Sequence, residues 1–479
     1  MGTAFHEKKI TVVGLARSGV GAANLLASLG AKVSVTDRKS PQQLDEFIKS
    51  LDPRVTLALG NHPPELFESA DLIIISPGVP PDIAPLSIAR LKGVRIIGEL
   101  ELASQTLQFG LFKEPPEFLA VTGTNGKSTT TALLDEMMKS GGIATVLGGN
   151  IGNSLAAEIL DAMKFQGAAA RYIVAELSSF QLETIVGFRP KGATILNITP
   201  DHLDRYHEMG AYVKAKCGIA LNQGPQDFLV LNADDPLTTW VEEIVSSHQQ
   251  KPTIFYFSRK SRVDGIYCED GLMRFNLPGD KLSQIRSDLL PPDPASTFDP
   301  EAFRIKGVHN VENAMAATLM AYLAGGGIDG IRNALMNFPG LEHRLEFVRE
   351  IDGVRYINDS KGTNVGAVLK SLEGFVEPVI LIAGGRDKDS DFLLLKPLIK
   401  EKVKRLILVG EAAEKIGNAV CDVTDCVMAG YDLRAAILKA KESAAPGDVV
   451  LLSPSCASFD MFRDFEDRGR QFKKAVMEL

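Results

Sequence analysis

The sequence predicts an α/β fold of three domains, each built on its own open, mostly parallel sheet. Three observations carry this. The chain has 479 residues, a length that suggests about three domains. Short apolar runs alternate with helical stretches in three successive groups, as strands do when crossover helices connect them. The composition, 45% hydrophobic and 23% charged, is that of an ordinary soluble globular chain whose domains can each bury a core. Sixty acidic against 52 basic residues leave a net charge of −8, which argues against a nucleic-acid partner or an anionic membrane surface. No apolar run approaches the roughly 20 residues that span a bilayer. The N-terminus, Met1 to Lys9, lacks an apolar signal core. Cys217, Cys268, Cys421, Cys426 and Cys456 are scattered without a CxxC pair and read as free thiols, so a reducing, cytoplasmic setting is expected. No internal repeat of fixed period is visible.

The first domain is expected over residues 1–98. Lys9 to Gly14 reads as a short apolar strand, followed by a loop from Gly14 to Gly21 and a helical stretch from Ala22 to Leu29. Lys32 to Asp37 is a second strand ending in an acid, and Leu72 to Gly78 is a buried strand with a loop at its carboxyl end. This is a Rossmann-like pattern, and such sheets bind ligands outside the carboxyl ends of their strands. The dinucleotide fingerprint G-x-G-x-x-G is incomplete, because Ala16 stands where its second glycine belongs. Asp37 could hold a ribose hydroxyl or could be a solvated strand-end carboxylate. A nucleotide or phosphate ligand is favoured over a nicotinamide.

The second domain is expected over 99–339. The run from Phe118 to Val121 reads as a buried strand, and Thr131 to Met138 as a helix. Between them lies Gly123-Thr124-Asn125-Gly126-Lys127-Ser128-Thr129. Glycines at such a turn let backbone N–H groups approach an anion, and the helix N-terminus adds positive potential. Lys127 supplies a fixed charge for phosphates and Ser128 a hydroxyl for magnesium, so the sheet reads as a P-loop-type ATPase sheet. Val121 replaces the first glycine of the full motif. The alternative is a glycine-rich turn beside a surface lysine. Three further strands end in polar residues: Tyr172 to Glu176, Ala193 to His202, and Phe228 to Asp235. From 251 to 306, short alternating runs broken by Asp264-Gly265, Asp270-Gly271 and Pro278-Gly279 read as hairpins, a small β element. Pro291 to Pro294 looks like a surface insertion, and helices resume after His309-Asn310.

The third domain is expected over 340–479 and is again Rossmann-like. Its strands are Val354 to Asp359, Val379 to Gly385, Leu406 to Gly410 and Val449 to Ser453.

Triphosphate chemistry needs magnesium, which takes oxygen ligands. Ser128 and Glu176 fit one ion. His202 could ligate a second, or take a proton near neutral pH. Each also has a plain structural reading, a hydrogen-bonded strand-end acid and a satisfied histidine. In the third domain Arg344, Asp359, Lys361, Lys388, Ser455, Ser458 and Phe459 fall at strand ends of one sheet.

At this point the chain resembles the Mur ligase family, and within it the D-glutamate-adding branch. The resemblance covers essentially the whole chain. It rests on the glycine-lysine loop, Glu176 to Glu183, Asp201 to Tyr206, Asn358 to Asn364, and Ser453 to Asp460. The Gly-Leu-x-x-Ser-Gly form of the opening loop favours this branch, as does the lack of an Asp-Asn-Pro-Arg motif. The resemblance implies ATP-dependent amide formation in peptidoglycan precursor synthesis, with two magnesium ions and the substrates UDP-N-acetylmuramoyl-L-alanine and D-glutamate, in a cytoplasmic monomer. It implies that Gly123 to Thr129 cradle the triphosphate and that Ser128 and Glu176 hold the first metal. His202 and Lys216 would hold the second, with Lys216 carbamylated; the plain reading of Lys216 is an exposed helix lysine. Asn310, Arg344 and Asp359 would contact the adenosine side of ATP. Lys361, Thr363, Lys388, Ser458, Phe459 and Phe465 would surround D-glutamate. Arg17, Ser18, Asp37, Arg38 and the Ser76-Pro77-Gly78 loop would hold the uridine diphosphate, and Asn150 and Ser178 the muramoyl-alanine end. Lys127, His202, Lys216, Lys361 and Lys388 would carry the catalysis. Ala16 and the charged pair Arg386-Asp387 depart from the family's usual loops. Competing readings are a folylpolyglutamate-synthase-like ligase, a nicotinamide-dependent oxidoreductase and a nucleotide-sensing module without turnover.

Overall fold

A computed structural model describes residues 4–164 and 170–479. Among the described residues there are sheets of five, nine and six strands. The first is all parallel, in the order Thr56–Leu59, Lys32–Asp37, Lys9–Val13, Leu72–Ile75, Arg95–Gly98. The order reverses between Lys9–Val13 and Leu72–Ile75, so their carboxyl-end loops open a crevice at the topological switch point. The helix after the first loop is Arg17–Ser28, a turn earlier than the apolar pattern suggests, because its first turn opens with the polar residues Arg17, exposed, and Ser18, half-buried.

The helix Glu99–Leu107 leads into the central sheet and is buried along almost its whole length. Its apolar residues join one continuous core with Val12 and Leu25 of the first domain and Ala120 and Ile195 of the second. In the central sheet, strand Glu117–Thr122 pairs in parallel with Tyr172–Glu176 on one side and Gly192–Ile195 on the other. Phe228–Asn232 and Thr253–Ser258 extend it. All four residues of Gly192–Ile195 and all five of Phe228–Asn232 are buried, as expected for a sheet with helices on both faces.

The hairpin reading of 251–306 holds only in part. Asp270-Gly271 does reverse the chain, between the antiparallel strands Gly265–Glu269 and Leu272–Asn276. Asp264-Gly265 does not: Thr253–Ser258 and Gly265–Glu269 run parallel, with Tyr256 opposite Gly265. The second strand therefore continues the parallel sheet instead of reversing it. Pro278-Gly279 opens the helix Gly279–Ile285, as proline before a first helical turn can. The next helix is Val308–Leu323, so His309 and Asn310 lie in its first turn rather than before it.

The third sheet places Val354–Asn358, Val449–Leu452, Val379–Gly384, Val403–Val409 and Asp425–Met428 in parallel, with Glu346–Ile351 antiparallel at one edge. Here the reading of five free thiols is overturned. Cys421, after the helix Ala413–Val420, and Cys426, in the edge strand, form a disulfide with Cα atoms 5.7 Å apart. Their sequence separation of 5 matches no metal or redox spacing, so the pair is invisible until helix and strand bring it together. Cys217, Cys268 and Cys456 are free. Among the described residues no helix is long and apolar enough to cross a membrane.

Candidate active site

The loop after Thr122 is held from both sides before it meets any ligand. Asn197 accepts from the amide of Thr124 (2.8 Å) through its carbonyl and from that of Asn125 (2.9 Å) through its side chain. The Thr124 hydroxyl donates to the Thr199 carbonyl at 3.1 Å. Gly126 caps the helix Lys127–Ser140 with φ +84°, and a side chain there would overlap Asn313 Oδ1. Lys127 folds back so that its Nζ donates to the Gly123 (3.0 Å) and Thr124 (2.9 Å) carbonyls. Burial pushes its pKa down, while the charges of Glu176 and Asp201 act to raise it.

Glu176 ends the neighbouring strand and is buried. Asn150 Nδ2 donates to its Oε1 at 2.7 Å, and the Ser128 hydroxyl lies beside the carboxylate. Burial opposes its charge, but Lys361 and Lys127 outweigh burial and hold the carboxyl below the usual range. A buried carboxylate beside a serine hydroxyl is a donor set that suits a hard cation such as magnesium.

Asp201 and His202 follow strand Gly192–Ile195. The His202 ring packs edge-on against Phe180, 4.8 Å between centroids, and its Nε2 lies 3.8 Å from Asp201 Oδ2. Burial works against the Asp201 charge and is outweighed by Lys388, His202 and Lys127, so this carboxyl also stays below its ordinary range. Lys216 is only 1% exposed, against its plain reading as a surface lysine. Its Nζ donates to the Gly123 carbonyl at 2.8 Å and lies over the Tyr212 ring. Burial, helped by the charge of Lys127, pushes its pKa well down. A plain amine that donates to a carbonyl is not a metal ligand; a carboxylated one would be.

The third domain meets this centre directly. Lys361 Nζ donates to Ser128 Oγ at 2.6 Å, Asn364 Nδ2 to Asp201 Oδ2 at 3.1 Å, and Lys388 Nζ lies 3.8 Å from Asp201 Oδ1. Lys361 also sits over the Phe465 ring at 5.1 Å. Between the two domains is a cavity of about 270 Å³, lined on one side by Asn125, Gly126, Asn232, His309 and Asn313 and on the other by Arg344 and Asp359. Asp359 is buried. Its Oδ2 accepts from the Ser371 and Ser453 hydroxyls, each at 2.7 Å, and burial raises its pKa. Asn310 does not line the cavity. Its amide donates to the Lys306 carbonyl and its oxygen accepts from Asn313. Ser458 is buried, and Phe459 is 62% exposed. Thr363 is held by its own amide, which donates to the Lys361 carbonyl at 2.9 Å.

On the first domain's side, Ser76 Oγ donates to the Gly14 carbonyl (2.9 Å), and Asp37 accepts from the amides of Leu15 (2.7 Å) and Lys39 (2.9 Å). These bonds fix the switch-point loops, with Arg17 and Arg38 exposed beside them and Gly78 in open space. Ser178 caps the short helix Ser179–Leu182 with Gln181, a structural duty in its own right. Arg205 bridges the halves: it donates to the Pro77 carbonyl at 3.2 Å and to Glu183 at 2.6 Å. Sequence reasoning gave no role to Asp201, Asn364 or Asn313, although Asp201 and Asn364 stand in two of the runs that carry the resemblance. For Asn313 the signal was position, one helical turn from Asn310.

The glutamate ligase domain of Mur ligases matches residues 343–456, the Mur ligase middle domain 121–321, and the MurD-like N-terminal domain of Mur ligases 8–98. The UDP-N-acetylmuramoylalanine–D-glutamate ligase of Geotalea daltonii is 45% identical over 474 residues, covering 98% of both chains. The ligase of the same name from Pelotomaculum thermopropionicum is 43% identical over 482 residues, covering 99% of this chain and 98% of that one. Among solved structures, UDP-N-acetylmuramate–alanine ligase from Thermotoga maritima is 19% identical with a TM-score of 0.59, covering 98% of this chain and 99% of that one. A pseudomurein peptide ligase from Methanothermus fervidus, also 19% identical, has a TM-score of 0.58 at the same coverage. These two structural likenesses concern the fold.

Proposed function

Since the chain belongs to the Mur ligase family, in the branch of UDP-N-acetylmuramoylalanine–D-glutamate ligases, we propose that it joins D-glutamate to UDP-N-acetylmuramoyl-L-alanine with hydrolysis of ATP. The observation that carries this reading is the 2.6 Å contact of Lys361 with Ser128, which brings the proposed amino-acid loops onto the phosphate loop. In the first step an oxygen of the alanyl carboxylate attacks the γ-phosphorus, the bond to the bridging oxygen breaks, and ADP leaves. In the second the D-glutamate amine attacks the acyl carbon, the carbon–oxygen bond to phosphate breaks, and the amine gives up a proton.

The difficulty in the first step is charge. Each pair of unit negative charges at 4 Å costs about 4 kcal/mol at an effective dielectric near 20. Lys127 and the amides at the start of its helix offset part of this, and Lys361 and Lys388 approach from the other domain. Magnesium would supply the rest, through Ser128 and Glu176 for one ion and His202 with a carbamylated Lys216 for a second. Burial disfavours the Lys216 ammonium, and the neutral amine is the form that adds carbon dioxide. The cavity between Asn313, Arg344 and Asp359 would take the adenosine, and the switch-point loops near Ser76 and Asp37 the uridine diphosphate. The chain would act in the cytoplasm and as a monomer, and light scattering of the purified protein checks the oligomeric state.

The test is phosphate release with ATP, magnesium and UDP-N-acetylmuramoyl-L-alanine across D- and L-amino acids. Release with D-glutamate alone, abolished by Lys127→Ala, is expected. Release with another amino acid would assign a different branch, and no release with any would remove the ligase reading.

A further inference from the structure

Arg468 is 3% exposed, in the first turns of the helix Phe465–Met477, and belongs to none of the groups assigned above. Its guanidinium makes no ion pair among the described residues. It donates instead to hydroxyl and carbonyl oxygens of two separate loops. Nε donates to Ser360 Oγ at 3.0 Å and Nη2 to the Ser360 carbonyl at 2.8 Å. Nη1 and Nη2 each donate to the Cys456 carbonyl at 3.2 Å, and Nη1 also reaches the Ala457 carbonyl at 3.4 Å. A third loop abuts the same group. Gly385 adopts φ +129°, and a Cβ there would lie 3.2 Å from Arg468 Nη1 and overlap the Ala457 carbonyl.

These three loops follow strands Val354–Asn358, Val449–Leu452 and Val379–Gly384, which are neighbours in the sheet. The first carries Lys361 and Thr363, the second Ser458 and Phe459, the third Lys388. The buried guanidinium therefore stands at the junction of all three segments that would hold the amino acid. Burying a cation with no carboxylate in hydrogen-bond contact is costly, and the charges of Asp460 and Asp359 offset that only in part. A planar fork with five N–H donors in fixed directions can, however, hold several carbonyls at set distances, which lysine cannot. Burial lowers its pKa to about 10, so it stays charged at neutral pH.

We propose that Arg468 is a positioning residue for the D-glutamate seat: it sets the spacing of the three loops and places a buried positive charge behind a substrate that carries two carboxylates. The proposal rests on the ligase function inferred above. Turnover of the parent enzyme with D-glutamate is therefore measured first, and a parent without it removes that reading rather than this one. The experiment compares Arg468→Lys and Ser360→Ala with the parent in steady-state kinetics for all three substrates, alongside Tm. Arg468→Lys keeps the charge and loses the fork. It is expected to raise KM for D-glutamate about tenfold or more, while KM for ATP and for the UDP-sugar changes less than about twofold. Ser360→Ala removes one of the acceptors and is expected to shift KM for D-glutamate in the same sense by less. A fall in Tm with KM for D-glutamate unchanged, or an equal rise in all three KM values, would overturn the proposal. If Arg468→Lys does not fold, Ser360→Ala decides alone: an unchanged KM for D-glutamate refutes the positioning role.

Discussion

Lys216 shows how one residue's surroundings set its chemistry. In the sequence it sits in a helix with a lysine two positions before it and looks solvated. In the fold it is buried next to Lys127, and that environment favours the neutral amine. A neutral amine beside the phosphate loop gains a negative charge only by modification. The account therefore expects activity to depend on dissolved carbon dioxide. Prolonged dialysis at slightly acidic pH in carbonate-free buffer should lower kcat, and bicarbonate should restore it. Lys216→Ala should lower kcat about a hundredfold or more, with no response to bicarbonate. A parent enzyme whose rate ignores carbonate removal would rule the carbamate out. Glu176 and His202 were legible from the sequence because each follows an apolar strand. Lys216 was legible only through resemblance, since burial of a helix lysine leaves no mark in local pattern.

At the scale of elements, the helix Glu99–Leu107 packs into the core that the first and second domains share. Glu99, at its start, accepts from the Ala156 amide at 2.6 Å, at the N-terminus of helix Leu155–Lys164. Burial raises its pKa to about 7, against the pull of the Ala156 and Leu155 amides. Because the folded state holds this proton more tightly than the unfolded state, the group's stabilisation is complete below the unfolded value of 4.5. It is lost as pH rises through about 7, an amount of about 3 kcal/mol for a shift of that size. Glu99→Gln keeps an acceptor for Ala156 and removes the titration. Its Tm should gain on the parent's between pH 5 and 7, and parallel Tm–pH curves would contradict this origin. The strand-loop-helix units themselves were readable because buried parallel strands are short apolar runs ending in polar loops. The parallel pairing of Thr253–Ser258 with Gly265–Glu269 was not readable, since Asp-Gly marks a turn without saying which way the chain leaves it. The Cys421–Cys426 bridge was hidden for a related reason: it depends on the contact of a helix end with an edge strand.

For the whole molecule, the three sheets turn their strand carboxyl ends toward one another. The first contributes the crevice at Gly14 and Ser76, the second the Lys127 loop, the third Lys361 and Lys388. Arg205 ties the first to the second, and the Lys361–Ser128 contact ties the second to the third. The sequence pattern gave the three units and the strand-end residues, whereas the proximity of the ends is a property of packing alone. The same packing explains why Asn364 and Asp201, 163 residues apart, were not recognised as a pair. A reaction that first phosphorylates a carboxylate and then forms an amide needs all three sets of loops within reach of one carbon atom. The measurement that tests this most directly uses UDP-N-acetylmuramoyl-L-alanine labelled with oxygen-18 in the alanyl carboxylate, turned over with ATP and D-glutamate. The account predicts that each phosphate released carries one labelled oxygen and that the amide product keeps the other. Unlabelled phosphate would mean that the carboxylate never attacks the γ-phosphorus, and would contradict the proposed chemistry.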